Sequence, residues 1–545
     1  MIINYANIYV PGSMIIEQFG LNGLTKVLNK FVIKYMPHIG TVKTLTVYKK
    51  YKKDGNIDVF FPKGSYDQLS KVINIKNAKL SYAIPVKINE LTNADTMPLY
   101  TNQQSVLEYL LDNQFSDKAI IAGRANANLK MPAGSGKTRL GLGLAKALGL
   151  KTLVVVPTEY LMLQWKEEYE DMFGDGYTAG LYSGKYKTDG HVVIGIINSL
   201  LRVAPEYFDK FGFVIFDESH DYCSETFSEI FWRAQRVCNL SLTATPDERK
   251  DGFDRALKMH FGPIIDVKTL PNYKDDSVAF TGSVEAIKYV GPDAFTGIVL
   301  NEKMGLISVP HMIAQFIRDP YRNKLIINKA MELYNQNRHI YIFTDQRAHA
   351  FALRDMFKVA NVLVDIDVNT GDDTGDNAND NIGDNANDNP ADDNKDACIT
   401  EVVDKLDNLN IIQGNDTDNT ESIANIEGVN NHVLIGGVKK DVMDDAKEKK
   451  ERSIIITTYG YSYRGVSIKH MDSLIIATPR ASKFTQIIGR IKRKGGDASI
   501  PRKVIDIIDS ATPLKKQFSE RKKAYIREQL DIKTSNVRWN ELNLQ

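Results

Sequence analysis

Two polar segments, each next to an apolar run, constrain the fold of this chain more than any other feature. Residues 217–220 read Asp-Glu-Ser-His and follow the apolar run 213–216. Residues 131–138 read Met-Pro-Ala-Gly-Ser-Gly-Lys-Thr and precede an apolar helical pattern over 140–148. Acidic residues at the end of a buried strand and a glycine-rich loop before a helix are the two halves of a Mg²⁺-nucleotide site. Together they predict an α/β sheet that carries an ATP-hydrolysis site.

The glycine-rich loop contains the groups that a triphosphate requires. Its glycines let backbone N–H groups approach phosphate oxygens, and the positive end of the following helix favours the anion. Lys137 is expected to reach the β- and γ-phosphates, and Thr138 to bind Mg²⁺. Met131 stands where such a loop usually has its first glycine. The predicted phosphate-binding residues are Pro132, Ala133, Gly134, Ser135, Gly136, Lys137 and Thr138.

Two further groups complete the predicted chemistry. Asp217 is expected to hold Mg²⁺, directly or through water, and Glu218 to orient and deprotonate the attacking water. Arg490 and Arg493 lie three residues apart, so they can share one helical face. Close to the phosphates, they would stabilise the charge that develops on the γ-phosphoryl group. Taken singly, the three segments could also be a chance turn, a solvated acidic turn and a basic helix face.

The hydrophobic pattern predicts two α/β lobes in tandem. Short apolar strand candidates alternate with helical stretches from about residue 96, and a second such series begins after about residue 310. This rhythm is typical of parallel sheets covered by helices. Residues 1–95 have β-like segments instead, with runs 44–48 and 57–61 around a hairpin turn at 53–56. The predicted parts are an N-terminal accessory domain (1–95), an ATP-binding lobe with its connector (96–295), a second lobe (296–512) and a basic helix and tail (513–545).

An acidic segment interrupts the second lobe. Residues 367–430 contain 17 Asp and Glu against two lysines, a net charge of −15, and the rest of the chain carries +16. The Asn- and Asp-rich composition cannot bury enough apolar surface to offset the cost of ordering, so disorder is predicted. A solvated insertion is preferred to a calcium site, because there is no EF-hand loop with its terminal Glu. The segment is either a tolerated loop or an electrostatic brake on nucleic-acid binding.

Composition narrows the class of protein. The 545 residues exceed one ordinary domain, and 43% hydrophobic and 25% charged residues are typical of a globular chain. No apolar stretch is long enough for a membrane span, and no secretory signal is recognised at the start. Cys223, Cys238 and Cys398 form no CxxC pair, so a reducing, intracellular compartment is predicted. The basic body suits a polyanionic partner such as nucleic acid.

At this point the ordered motifs resemble those of superfamily 2 helicases. The resemblance covers roughly residues 96–512 apart from the insertion. Gln103 corresponds to the adenine-reading residue, and Gln486 to the first residue of motif VI, which also contains Arg490 and Arg493. The matching segments are 99–103, 131–138 (motif I), 153–165 (Ia), 196–200 (Ib), 217–220 (II), 242–246 (III), 340–345 (IV), 457–468 (V) and 486–493 (VI).

The resemblance also implies a branch and further site residues. Segments 243–252 and 261–265 are similar to the XPB-like branch, and Phe61-Pro-Lys-Gly64 to the transcript-release helicases of poxviruses and related large DNA viruses. It implies two RecA-like lobes with ATP in the cleft between them and nucleic acid across both. The residues expected to couple ATP state to lobe movement are His220, Thr243, Thr245 and Gly465. Ser467 and Ile487 depart from the family pattern, where Asp and Arg are common.

Three functional hypotheses follow. The favoured one is an ATP-dependent helicase that uses ATP and Mg²⁺ to move along and unwind nucleic acid, with DNA preferred to RNA. The second is a translocase or transcript-release factor that acts on duplex nucleic acid without strand separation, with a transcription or repair protein as a possible partner. The third is a non-catalytic scaffold with a degenerate phosphate loop, which the intact Lys137, Asp217, Glu218 and Arg490 argue against.

Overall fold

A computed structural model shows how these segments fold. It divides into two compact units, Met1–Ala279 and Phe280–Gln545. The structure describes residues 1–542 except 39–40, 54–55, 74–77, 84, 86, 133, 175, 247–251, 274–279, 302–304, 360–363, 366–429, 435–451, 461–467, 469, 481–483 and 493–495. Within this part of the chain, no helix is both long and apolar enough to cross a membrane.

The strands, numbered in chain order, are β1 (Ile2–Ile3), β2 (Asn7–Pro11), β3 (Val32–His38), β4 (Thr41–Thr46), β5 (Lys49–Lys53), β6 (Asn56–Pro62), β7 (Lys79–Leu80), β8 (Asn126–Lys130), β9 (Thr152–Val156), β10 (Gly180–Tyr182), β11 (Val192–Ile196), β12 (Phe213–Asp217), β13 (Cys238–Thr243), β14 (Ile264–Asp266), β15 (Gly282–Val290), β16 (Ile340–Thr344), β17 (Val364–Asp365), β18 (Asn430–Leu434), β19 (Ser453–Thr458), β20 (Ser473–Ile476), β21 (Arg502–Asp509) and β22 (Asp531–Arg538).

The α-helices, numbered in the same way, are α1 (Gly12–Asn29), α2 (Tyr66–Ser70), α3 (Asn89–Thr92), α4 (Thr101–Asn113), α5 (Asp117–Ile121), α6 (Lys137–Leu148), α7 (Glu159–Phe173), α8 (Ile197–Leu200), α9 (Glu229–Ala234), α10 (Asp254–Phe261), α11 (Asp293–Thr296), α12 (Val309–Phe316), α13 (Pro320–Asn335), α14 (Arg347–Val359), α15 (Phe484–Ile488) and α16 (Gln517–Arg527). Short 3₁₀ helices cover Lys63–Ser65, Pro205–Lys210, Ser219–Tyr222, Val267–Thr269, Pro513–Lys516 and Trp539–Glu541.

The first residues of unit 1 form a small, mostly antiparallel sheet. Its strand order is β5-β6-β2-β1-β7, and helix α1 packs on one face of it. The predicted hairpin turn at 53–56 is confirmed, because β5 and β6 pair with Lys53 opposite Asn56. The first strand of that hairpin was predicted wrongly, however. Run 44–48 contributes to β4, which pairs with β3, because Leu45 and Val47 are needed in the core.

A buried lysine joins this small sheet to the rest of unit 1. Lys63 directly follows β6, and its Nζ donates hydrogen bonds of 3.0 Å to the backbone carbonyls of both Arg236 and Val237. Ser65 donates a further bond of 3.0 Å to the carbonyl of Met259 in α10. A side chain on Gly64 would collide with the backbone of residues 260–262. The Phe-Pro-Lys-Gly segment is therefore a close junction between the small sheet and the larger one.

The larger sheet of unit 1 is parallel throughout, with strand order β10-β11-β9-β12-β13-β8-β14. Its central strands are apolar and fully buried, as Leu153–Val156 and Phe213–Phe216 show. Strands β12, β13 and β8 are adjacent, and parallel strands end at the same edge of a sheet. Asp217 and Thr243 at the ends of β12 and β13, and the loop that follows β8 from Met131, are therefore brought together by the sheet order alone.

Unit 2 contains the second parallel sheet, with strand order β17-β18-β19-β16-β20-β21-β15-β22. Two buried ion pairs tie its helices to strand β21. Arg322 of α13 contacts Asp509, and Arg521 of α16 contacts Asp506 at 2.8 Å. Strand β15 and the C-terminal strand β22 lie at one edge of this sheet, so residues 282–290 and 531–538 belong to it.

The predicted fold class is confirmed: two parallel-sheet α/β lobes of the RecA-like kind follow a small β-containing N-terminal part. The domain boundaries at 95, 295 and 512 stay predictions. Most of the acidic insertion lies outside the described residues, so its predicted disorder stays a prediction.

Candidate ATP-hydrolysis site

The phosphate loop has the backbone that its glycines predict. Gly134 and Gly136 have φ values of +77° and +80°, in the left-handed region that favours glycine. Ser135 donates a 2.6 Å hydrogen bond to the carbonyl of Pro132, which closes the turn. Helix α6 then begins at Lys137, so its first N–H groups lack helical acceptors and are available for phosphate oxygens. Ala133 is outside the described residues.

Gln103 contacts the phosphate loop directly. Its buried side-chain amide donates hydrogen bonds of 3.2 Å to the carbonyls of Ser135 and Gly136, and its Oε1 accepts one of 3.1 Å from the backbone N–H of Tyr100. The residue therefore supports the loop from the side of helix α4. The family resemblance implied adenine recognition for Gln103, and that role stays a prediction.

The acidic pair lies next to the phosphate loop at the end of β12. Asp217 accepts hydrogen bonds from the indole Nε1 of Trp165 at 2.8 Å and from the backbone N–H of Glu218 at 3.0 Å. Glu218 has a φ of +46°, an unusual conformation for a residue with a side chain. This turn brings Oε1 of Glu218 to 3.4 Å from Nζ of Lys137. The structure thus joins the two sequence segments that were predicted to form one site.

The two carboxyl groups differ in their protonation behaviour. Burial and the neighbouring Glu218 charge raise the pKa of Asp217 to about 6. Burial alone would raise the pKa of Glu218 as well, but the positive charges of Lys137 and His220 outweigh it and lower that pKa. Glu218 is therefore ionised at neutral pH. Its Oε2 is buried and, among the described residues, accepts no hydrogen bond.

A chain of short contacts leads from Glu218 to the next strand. Nδ1 of His220 lies 3.4 Å from Oε2 of Glu218 and 2.9 Å from Oγ1 of Thr243. That hydroxyl also accepts a 3.2 Å hydrogen bond from the backbone N–H of Thr245. The side chains of His220, Thr243 and Thr245 are all buried. Three of the four residues predicted to couple the ATP site to movement are therefore in one network, and Gly465 is outside the described residues.

Sequence reasoning missed several residues that hold the site. Trp165 orients Asp217, and Ser219 reaches Ser241 of β13 at 2.7 Å, while Ser241 donates to Asn128 of β8 at 3.0 Å. Ser241 and Asn128 are polar residues inside buried strands, where the sequence already shows them as exceptions. Their partners could not be named without the strand order.

The predicted arginines belong to unit 2. Gln486 lies in helix α15, which ends at Ile488, and Arg490 is buried in the turn that follows. The expectation of a shared helical face is therefore not met by Arg490, because the helix ends before Gly489. Ile487, which departs from the arginine expected from the family resemblance, is buried in the lobe. Arg493 is outside the described residues.

Cation binding would depend on few protein ligands. No cluster of three or more His, Cys, Asp or Glu side chains that could hold a metal occurs in the part of the chain that the structure describes. Asp217 and Thr138 instead offer two side-chain oxygens that could bind a cation beside the phosphate loop. Such a site is typical of Mg²⁺ bound with nucleotide, because the phosphates and water supply the remaining ligands.

Fold and site together define a P-loop nucleotide hydrolase with two parallel-sheet lobes. Residues 96–248 match the family model described as type III restriction enzyme, res subunit. The chain is 28% identical over 467 residues to a putative ATP-dependent RNA helicase, QP509L, of African swine fever virus (isolate Pig/Kenya/KEN-50/1950), covering 81% of this chain and 76% of the relative. These similarities support the superfamily 2 helicase resemblance that the motifs indicated.

Two other relatives have DNA in their names. The DNA 3'-5' translocase XPB2 of Sulfurisphaera tokodaii is 38% identical over 138 residues, which cover 25% of this chain and 30% of the relative. The ATP-dependent DNA helicase uvsW of Enterobacteria phage T4 is 22% identical over 432 residues, 76% of this chain and 71% of the relative. The similarity to XPB2 agrees with the branch indicated by segments 243–252 and 261–265.

Proposed function

We propose that this chain is an ATP-dependent nucleic-acid helicase, which couples ATP hydrolysis to movement along nucleic acid and to its unwinding. The observation that carries the proposal is the 3.4 Å contact between Lys137 and Glu218, which joins a formed phosphate loop to an ionised carboxylate. A degenerate, non-catalytic scaffold would have no need of this pair. The names of the relatives support ATP use and action on nucleic acid.

In this proposal, different residues of unit 1 bind the phosphates, hold Mg²⁺ and activate the attacking water. The backbone N–H groups of 134–138 bind the phosphates, with Lys137 on the β- and γ-phosphoryl groups. Thr138 and Asp217 would hold Mg²⁺, which neutralises phosphate charge. Burial and the neighbouring Glu218 charge raise the pKa of Asp217, so a bound cation would stabilise its ionised form, which supports this role. Glu218, ionised and with a buried oxygen that accepts no hydrogen bond among the described residues, orients the attacking water and accepts its proton.

Two sets of residues then connect hydrolysis to movement. His220 touches both Glu218 and Thr243, so a change at the γ-phosphate alters a network that continues into the segment after β13. Arg490 and Arg493 of unit 2 are proposed to stabilise the charge of the transferred phosphoryl group, and Gln486 and Gly465 to assist nucleotide binding and coupling. Gln103 is proposed to read adenine while it supports the loop.

DNA is the preferred substrate in this proposal, because two relatives are named for DNA and the body of the chain is basic. The name of the African swine fever virus relative makes RNA the alternative polymer. The word translocase in the name of XPB2 favours a second candidate function, movement on duplex DNA without strand separation. An intracellular, reducing setting is part of the proposal, and Cys223 and Cys238 are buried free thiols.

The test combines ATP turnover with strand displacement. Purified protein should hydrolyse ATP faster with single- or double-stranded DNA or RNA, and the most effective polymer identifies the substrate. Lys137→Ala should abolish stimulated turnover, whereas Lys166→Ala, which removes a surface ion pair with Glu170 on helix α7, should not. Stimulated ATPase without displacement, but with triplex displacement, would favour the translocase. Absence of stimulation by every polymer would overturn the proposal.

A further inference from the structure

The small N-terminal sheet has one open face that presents aromatic rings. Ile8, Val10, Val59 and Phe61 belong to the core on the side of helix α1, and strand side chains alternate between faces. The alternate positions on the other face include Tyr9 and Phe60, which are only partly buried, and Tyr51 of β5 joins them opposite Asp58. The ring of Phe60 lies 5.3 Å from that of Tyr9 and 5.6 Å from that of Tyr51. Tyr51 is 56% exposed, although it is a large hydrophobic residue.

Lysines surround these rings. The edge strand β5 reads Lys-Lys-Tyr-Lys-Lys, and Lys79 lies in β7 at the opposite edge of the sheet. Lys53 lies opposite Asn56, and Lys79 lies beside Ile2, which is opposite Tyr9, so both share the open face. Both are exposed and have no ion pair within the described residues. Lys50 and Lys52 lie opposite Val59 and Ile57 and extend from the other face. Lys49 differs, because it pairs with Glu229 at 2.7 Å and lies 5.1 Å from the ring of Trp232, which fixes the strand against the ATP-binding lobe.

Protection against aggregation explains only part of this surface. Lysines on an edge strand prevent pairing with another sheet. Preventing such pairing does not require aromatic rings on the open face. Polar side chains would make an exposed face more soluble. Base-stacking aromatics within a basic groove are instead the usual components of a surface for single-stranded nucleic acid. One acidic group, Asp58, also lies on this face and accepts a 2.8 Å hydrogen bond from the hydroxyl of Tyr9.

We propose that the open face of the N-terminal sheet, formed by Tyr9, Tyr51 and Phe60 with Lys53 and Lys79, binds single-stranded nucleic acid. Bases stack on the rings, and the lysines contact phosphates. The inference rests on the proposed function, since the strand would be the same polymer on which the lobes act. Lys63 and Lys49 hold this sheet on the ATP-binding lobe, so a strand bound here moves with that lobe.

The first test separates stacking from charge. The full-length chain without ATP is titrated into labelled oligothymidylate and into an abasic strand of equal length, and anisotropy is measured. Tyr51→Ala should weaken oligothymidylate binding by about fivefold or more and leave the abasic strand unchanged, whereas Tyr51→Phe should retain binding. Phe19→Ala is the matched control, because Phe19 is 42% exposed on helix α1, which covers the other face. Photo-crosslinking with bromodeoxyuridine should label the peptide containing Tyr51.

The second test addresses charge. Changing Lys53 and Lys79 to Gln should reduce the slope of log affinity against log salt by about 0.7 for each lysine, while Lys50→Gln with Lys52→Gln on the other face should not. Asp58→Asn should tighten binding, because it removes a negative charge from the face. Wild-type binding by the Tyr51 and lysine variants, with ATP turnover still stimulated, would overturn the inference and leave the helicase proposal intact. Equal competition by polyglutamate would show an acidic-peptide surface and overturn it as well.

Discussion

The indole of Trp165 in helix α7 donates a 2.8 Å hydrogen bond to Oδ2 of Asp217, the acidic residue at the end of β12. The same ring packs on helix α6, where a side chain on Gly141 would lie 2.9 Å from Cη2 of Trp165. One buried side chain therefore touches both the helix of the phosphate loop and the carboxylate proposed to hold Mg²⁺. A movement of either element is transmitted to the other through this ring.

Trp165→Phe should raise the Mg²⁺ concentration that gives half-maximal ATPase by about tenfold, with a smaller effect on ATP affinity. The phenyl ring keeps most of the packing but cannot donate to Asp217, and loss of a partner that orients a metal ligand typically has this magnitude. The measurement is a Mg²⁺ titration of ATP turnover. Trp232→Phe, which changes an indole packed beside Lys49 and His260, serves as control. An unchanged Mg²⁺ requirement would contradict the role of the indole N–H.

Gly136→Ala should abolish nucleotide binding and lower the free energy of unfolding by about 1–2 kcal/mol. The added methyl group would collide with Nε2 of Gln103. The alanine would also have to adopt a positive φ, which is unfavourable for a residue with a side chain. Gly134→Ala separates the two causes, because its φ is also positive but nothing lies within 4 Å of the added carbon. Thermal unfolding and fluorescent-nucleotide binding measure both effects. Equal loss in the two variants would show that the contact with Gln103 is unimportant.

His260→Phe should make the stability of unit 1 less dependent on pH. Burial and the nearby charge of Lys49 lower the pKa of His260 to about 3. The unfolded chain binds a proton near pH 6.5 that the folded chain does not bind until about pH 3, so stability is complete above 6.5 and falls as the pH decreases. Phenylalanine suits the contacts with Phe231 and Trp232, whose ring centroids lie 5.0 and 5.2 Å from His260.

The advantage of the His260→Phe variant should therefore grow as the pH is lowered from about 7 to about 5, by up to about 1.4 kcal/mol per pH unit. Thermal midpoints of wild type and variant across this range measure it. A constant difference between the two proteins would mean that His260 does not take part in the pH dependence.

Arg322→Met should destabilise unit 2 by about 3–5 kcal/mol, because it leaves the buried carboxylate of Asp509 without its partner. The guanidinium contacts Asp509 through two hydrogen bonds of 2.7 and 3.2 Å, and both side chains are almost fully buried. The double variant Arg322→Met with Asp509→Leu should recover much of this loss. Urea unfolding of the single and double variants measures the coupling, and additive losses would contradict it.

The ATP site was largely predictable because its chemistry depends on local sequence. A positive φ requires glycine at 134 and 136, and a phosphate loop requires Lys137 directly after them. The apolar run before Asp217 indicates a buried strand with its acidic pair at the end. Trp165 and Gln103 could not be assigned in this way. Their partners lie 52 and 33 residues away, and long side chains carry no local mark of the direction in which they point.

The hairpin at residues 49–62 also shows which features local sequence can predict and which depend on distant partners. Turn residues alone located the reversal at 53–56, but the pairing partner of run 44–48 depended on which apolar residues the core could bury.

Local sequence thus determined the class of this protein, since strand ends, glycine positions and charged residues are properties of short segments. Tertiary structure decided how these segments meet. The order of β12, β13 and β8 brings Asp217, Thr243 and the phosphate loop to one edge, and the αL turn at Glu218 aims its carboxylate at Lys137. Only the packed sheet also shows that three aromatic rings of the N-terminal part share an open face, because register and neighbouring strands set which side chains lie together.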